Sequence, residues 1–189
     1  MPRPVMKTVS RWCLLVALLF AVGCAATPTQ RQSLYVSCRG GERVIVYEID
    51  RETGALAEVQ RVKLPGQPGP IALTEDGNHL YAALRSPSRV LPMTRDTKTG
   101  ELALLEPTNV PAFPTYLDID ANANYALTAN YSKGIVHSFR LNDDRTLAPN
   151  PIQATETDKT AHACLIDPSN RFVYIPHTIP NAIYQFRFD

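Results

Sequence analysis

The chain repeats itself about every 46 residues, and this feature limits its possible folds more than any other. Tyr35 in SLYVSC, Tyr81 in HLYAAL, Leu127 in YALTAN and Tyr174 in FVYIPH lie 46, 46 and 47 residues apart. A polar turn and a second apolar run follow each one. These runs are RVIVYEI, RVLPMTR, GIVHSFRL and AIYQFRF, in which Val44, Val90, Val136 and Ile183 keep the spacing. Ahead of the last three stand IALTEDGNH, LDIDANAN and LIDPSNRF, aligned on Leu73, Ile119 and Ile166. Their Asp-Gly, Asn-Ala and Ser-Asn pairs suit tight β-hairpins. A fourth run, GALAEVQRV, GELALLEPTNV or RTLAPNPIQ, closes a unit. None of these segments carries a helical period.

Four short strands repeated every 40 to 50 residues are the mark of a β-propeller blade. A β-sandwich also holds strands at such spacing, but it does not require units that match residue by residue. The expected fold is therefore all-β, a partial propeller arc of about four blades. The first unit, Leu34 to Gly66, lacks its first strand, and the fourth stops at Asp189 without its last. The units then carry three, four, four and three strands, fourteen in all. Pro92 falls inside a third strand, where it removes a ladder donor, so a bulge or break is expected there. A blade buries its faces only against its neighbours, and a propeller hides its ends by closing the ring. Four blades do not close a ring of ordinary size. The expectation is a truncated gene product whose end blades expose apolar faces through which it could associate.

The first residues read as a leader. MPRPVMKTVSR carries Arg3, Lys7 and Arg11 and no acid, and the apolar run Trp12 to Val22 follows. Eleven residues are too few to span a bilayer but fit a signal-peptide core. The run ends in AVGC, which resembles a bacterial lipobox with Cys24 as the lipid-bearing residue. An ordinary cleaved signal with an incidental cysteine is the alternative. The expected organisation is a signal peptide at 1–23, a linker at 24–33 and a propeller domain at 34–189. The expected location is outside the inner membrane, held by a lipid anchor, or secreted. The sixteen prolines suit a strand-and-loop protein. The net charge of +1 gives no reason to expect nucleic acid or a basic membrane-binding face. Cys38 and Cys164 sit in apolar runs without zinc spacing and read as small buried hydrophobes. No metal or cofactor is expected.

One stretch is more specific than the blade pattern. ANYSKGIVHSFRLNDDRTL is preceded by PTYLDID and followed by HACLIDPSNRFVYIPHTIPNAIYQFRFD. With its Asn130-Tyr131-x-x-Gly134 turn and a histidine ahead of DPSNRF, the chain resembles the seven-bladed β-propeller lactonases. That family holds 6-phosphogluconolactonases and carboxy-muconate cycloisomerases. The resemblance runs from about Leu34 to Asp189 and corresponds to the N-terminal half of a family member. It implies a cleft at the central channel and lactone chemistry on a small-molecule substrate. Hydrolysis of a sugar lactone is the leading expectation. Muconate-type cycloisomerisation and a non-enzymatic surface binding propeller are the alternatives. In the cycloisomerase branch the site's histidine falls on His162, while its arginine and glutamate partners lie on later blades.

Lactone opening needs a base to activate water and a cationic or hydrogen-bonding group for the developing oxyanion. His162, at the start of an inner strand, is the candidate base; a strand-entry histidine bonded to a carbonyl is the bland alternative. Cys164 shares its strand face, but it belongs to an apolar run. No G-x-S-x-G elbow is present. His177, Asn130 and Tyr131 occupy loop positions where a propeller's rim meets ligand. Turn chemistry is the competing role for the last two. Arg39 and Arg85 follow second strands and could meet an anionic substrate, or be merely solvated.

Overall fold

The computed structural model describes residues 31–188. Cys24 and the expected signal peptide lie outside the described residues. Fifteen strands form four antiparallel sheets, one for each sequence unit. The first sheet is β1 (Gln32–Cys38), β2 (Arg43–Ile49) and β3 (Leu56–Lys63). The second is β4 (Pro68–Leu73), β5 (His79–Leu84), β6 (Arg89–Arg95), β7 (Leu102–Leu104) and β8 (Thr108–Asn109). The third is β9 (Tyr116–Ile119), β10 (Tyr125–Asn130), β11 (Ile135–Arg140) and β12 (Gln153–Glu156). The fourth is β13 (Leu165–Ile166), β14 (Phe172–His177) and β15 (Ala182–Arg187). Each sheet pairs in sequence order, as a propeller blade does, except that β8 pairs with β6 beyond the end of β7.

Two details differ from the sequence reading. There are fifteen strands rather than fourteen, because the outer run of blade two is split into β7 and β8. Pro92 does not break its own strand, since β6 runs unbroken against β5 with Tyr81 opposite Pro92. The interruption falls on the next strand out. Neither Pro92 nor Pro107 has an N–H to give, so that ladder is replaced by a single bond from Leu105 N to Pro92 O. In blade three the outer strand is not RTLAPNPIQ. Within that run Leu147 bridges to Leu141 and Ile152 N donates to Ser138 O, and the strand itself starts only at the run's last residue, at Gln153–Glu156. Pro149 and Pro151 make the earlier run a poor ladder partner.

The core lies between blades and not within them. Val44, Val46, Leu80 and Leu91 pack blade one on blade two. Tyr81, Val90, Phe139 and Leu147 pack two on three, and Leu127, Val136, Cys164 and Ile175 pack three on four. The repeated tyrosines also staple neighbouring blades. Tyr35 Oη donates to Gly100 O at 2.8 Å, and Tyr81 Oη donates to Arg145 O at 2.9 Å. Both acceptors lie in the outer turn of the next blade. Gln60 adds a two-way bond to the main chain of Leu102. Burial of a phenol is favourable when its hydroxyl finds a partner, and the next blade supplies one.

The repeated valine position shows where packing stops. Val44, Val90 and Val136 are buried, but Ile183 in β15 is 69 % exposed. In the loop before it Ile179 is 79 % exposed, and at the other end Leu34 and Leu56 are open to solvent. Both end blades thus present apolar side chains.

Candidate functional site along one rim of the arc

Each blade's second and third strands are joined by a short turn. These turns sit beside the segments that lead into the next blade's inner strand. One main-chain bond recurs: Leu64 N to Glu42 O, Val110 N to Ser88 O and Thr157 N to Gly134 O, at 2.7–3.1 Å. The repeat therefore builds a rim in which a turn from one blade meets the lead-in of the next. Gly134 shows why the fit is tight. Its φ is +67, and a Cβ there would lie 2.3 Å from Asp158 O, so only glycine serves.

Three side chains at the same repeat position define the rim. Arg39 donates from Nε to Gln67 Oε1 at 3.3 Å. The Arg85 guanidinium lies over the Phe113 ring, 4.9 Å from its centre. Tyr131 meets His162 edge to face, with ring centres 5.9 Å apart. Gln67 and Phe113 are themselves 46 residues apart and each precedes a proline. The sequence reading passed over them, although the repeat offset applied to the lead-ins would have found them.

His162 is exposed, and its backbone N donates to Pro176 O at 2.9 Å. Its main chain is thus fixed while its ring faces outward beside Tyr131. The Tyr131 hydroxyl is paired with Thr178 Oγ1 at 2.9 Å, and Tyr131 O accepts from Thr160 N at 2.7 Å. Cys164, two residues on, is fully buried against Ala129, and burial pushes its thiol far above the usual range. A thiol so held is not a nucleophile at neutral pH.

Asn130 and His177 are not brought to the open rim. Asn130 Nδ2 donates to Phe113 O at 2.6 Å, and its Oδ1 accepts from Lys133 N at 2.8 Å. Its side chain closes the turn and ties it to the lead-in of its own blade's inner strand. His177 is 5 % exposed, with Nδ1 paired to Ile175 O at 2.9 Å and Nε2 to Thr157 Oγ1 at 3.0 Å. Its ring packs on Tyr184, whose hydroxyl donates to Asp158 and is held above its usual pKa by that bond. His137 is buried in β11, which lowers its pKa through desolvation.

The rim thus offers one open imidazole and, on blades one and two, two guanidiniums. Neither Arg39 nor Arg85 forms an ion pair among the described residues. No group of His, Cys, Asp and Glu is arranged to hold a metal among the described residues.

The family model described as "Lactonase, 7-bladed beta-propeller" matches residues 23–112 and 106–189. The chain belongs to the seven-bladed β-propeller lactonase family. No curated protein sequence matches it. A Lactobacillus plantarum protein superposes with a TM-score of 0.76 at 20 % identity, covering 84 % of this chain and 48 % of its own. A Bacteroides fragilis protein described as a candidate 6-phosphogluconolactonase gives 0.74 at 18 % identity, covering 87 % and 50 %. The periplasmic gluconolactonase of Pseudomonas aeruginosa gives 0.70 at 19 % identity, covering 84 % and 50 %. The chain therefore spans about half the length of these structures, which share its fold.

Proposed function

We propose that this lactonase-family chain contributes the water-activating part of a site that hydrolyses a sugar lactone. The observation that carries the reading is His162, the open imidazole on the rim, in a chain of this family. An imidazole exchanges protons near neutral pH, so it suits a general base. In the reaction His162 takes a proton from water. The hydroxide equivalent adds to the lactone carbonyl, the ring C–O bond breaks, and the proton passes to the leaving alkoxide. The product is a hydroxy acid. The family's fold has seven blades, and we place further oxyanion-stabilising groups on blades beyond the four described here.

An exported chain of this kind would meet an unphosphorylated sugar lactone, and a similar solved structure is a periplasmic gluconolactonase. We propose the same compartment for this chain, with Cys24 as its lipid anchor. A Cys24→Ser form should leave the membrane fraction.

The test of function is hydrolysis of phosphorylated and unphosphorylated sugar δ-lactones, measured above the spontaneous rate. The 189-residue chain and a form extended to seven blades are compared. Hydrolysis by the seven-bladed form, with little by the four blades alone, is expected. Failure of the seven-bladed form on every lactone would remove the reading.

A further inference from the structure

We propose that Arg39 and Arg85, on either side of Gln67, form an oxyanion-binding subsite at the rim between blades one and two. The subsite rests on the lactonase reading only for the identity of the molecule that brings the anion. Its chemistry is that of a phosphate monoester or a carboxylate.

Both arginines follow second strands at the same repeat position, and both are fastened to one residue. Arg39 Nε donates to the side chain of Gln67, and Arg85 N donates to its carbonyl at 2.7 Å. Gln67 N closes the loop to Ser86 O at 3.2 Å. The Arg85 side chain crosses Gly69, where a Cβ would lie 3.0 Å from Nε. A glycine in the inner strand therefore leaves room for a guanidinium laid along it. Phe113 then supports the cation from blade three.

What these cations lack is an acceptor for their charge. Arg85 Nε is buried without a hydrogen-bond partner. That atom lies against Gly69 and is closed to solvent, so an oxyanion would meet the terminal nitrogens of the half-buried side chain. The acid in the two turns, Glu42, is held by Lys63 at 2.8 Å. At the opposite rim, by contrast, Asp76, Asp120 and Asp167 are engaged by the amides of their own turns. Planar guanidiniums without carboxylates match a planar or tetrahedral oxyanion.

Inorganic phosphate, and separately gluconate, are titrated into the 189-residue chain at low salt. The arginine Nε–Hε resonances are followed by NMR. Saturable movement of the Arg39 and Arg85 signals is expected, with that of Arg61, paired to Glu58, unmoved. Tighter phosphate binding assigns a phosphate ester, and tighter gluconate binding a carboxylate. Arg39→Gln and Arg85→Gln should each weaken binding about tenfold or more, while Arg61→Gln should not change it. Were Arg85→Gln to unfold, Arg39→Gln in its exposed turn still decides the matter. Uniform or unsaturable shifts, or unchanged binding by Arg39→Gln, would overturn the subsite. Phosphate or gluconate binding without lactone hydrolysis would keep the subsite and remove only the hydrolase reading.

Discussion

Asp118 shows how one residue joins two blades. Its Oδ2 accepts from Ile166 N at 2.9 Å, which links β9 to β13, and its Oδ1 accepts from Ile119 N. Burial raises its pKa above the usual value, against the pull of those two bonds. The sign follows. A carboxyl with a raised folded pKa contributes most to stability when protonated in both states, below about pH 3.9. That contribution is lost as pH rises through the folded pKa. Asp118→Asn keeps one acceptor and cannot ionise. Its stability deficit relative to the parent should therefore shrink between pH 4 and pH 7. Asp118→Ala leaves Ile166 N–H unpaired and should cost about 1–3 kcal/mol. Thermal melts at the two pH values check both, and a deficit of Asp118→Asn that grows with pH would refute the assignment. At this scale the sequence showed what kind of residue stood where, but not its partner. His177 looked like a rim histidine because it ends a second strand. It is buried because Thr157 and Tyr184, 20 residues before it and 7 after, fold over its ring.

At the scale of elements, the turns carry the repeat's precision. Thr74, Asp120 and Asp167 occupy one repeat position, and each accepts from the amide five residues on. Two acids in these turns are held low, Asp76 to about 2 by Thr74 and Asn78, and Asp167 to about 2 by Ser169. With depressed pKa values, their support is present above about pH 4 and fades as pH falls toward 2. Acid unfolding monitored by circular dichroism should therefore begin in that window. Gly134 makes a sharper case. Gly134→Ala should cost more than about 1 kcal/mol, from the positive φ alone, and the clash with Asp158 O adds to it. Gly40→Ala, with nothing within 4 Å, should be near neutral. Urea unfolding compares them. Strand positions were legible because their apolar periods are local. The split of the outer strand in blade two was not, since it depends on how Pro92 meets a neighbour thirteen residues later. The rim pairs Arg39–Gln67 and Arg85–Phe113 were hidden for the same reason: each joins residues 28 apart that meet only when the blades stack.

For the whole molecule, blade count and order could be read from the register of Tyr35, Tyr81, Leu127 and Tyr174, of which Tyr35 and Tyr81 staple blades one and two to the next. The arc's end faces follow from the same logic. Ile179 and Ile183 stand open on blade four, where Val90 and Val136 of earlier blades are covered. Apolar faces of this kind drive association. The 189-residue chain is expected to self-associate in sedimentation velocity, and Ile183→Lys should shift it toward monomer. A monomeric parent would show that the end faces are tolerated.

We propose that His162 acts as the base while Tyr131 only packs beside it. The most direct measurement is kcat for lactone hydrolysis by the seven-bladed form, with His162→Ala and Tyr131→Phe compared under conditions where both are folded. His162→Ala should lower kcat on the order of 10²-fold or more, and Tyr131→Phe, which keeps the ring and loses only the Thr178 bond, should change it little. Full activity in His162→Ala would contradict the claim and make this histidine structural.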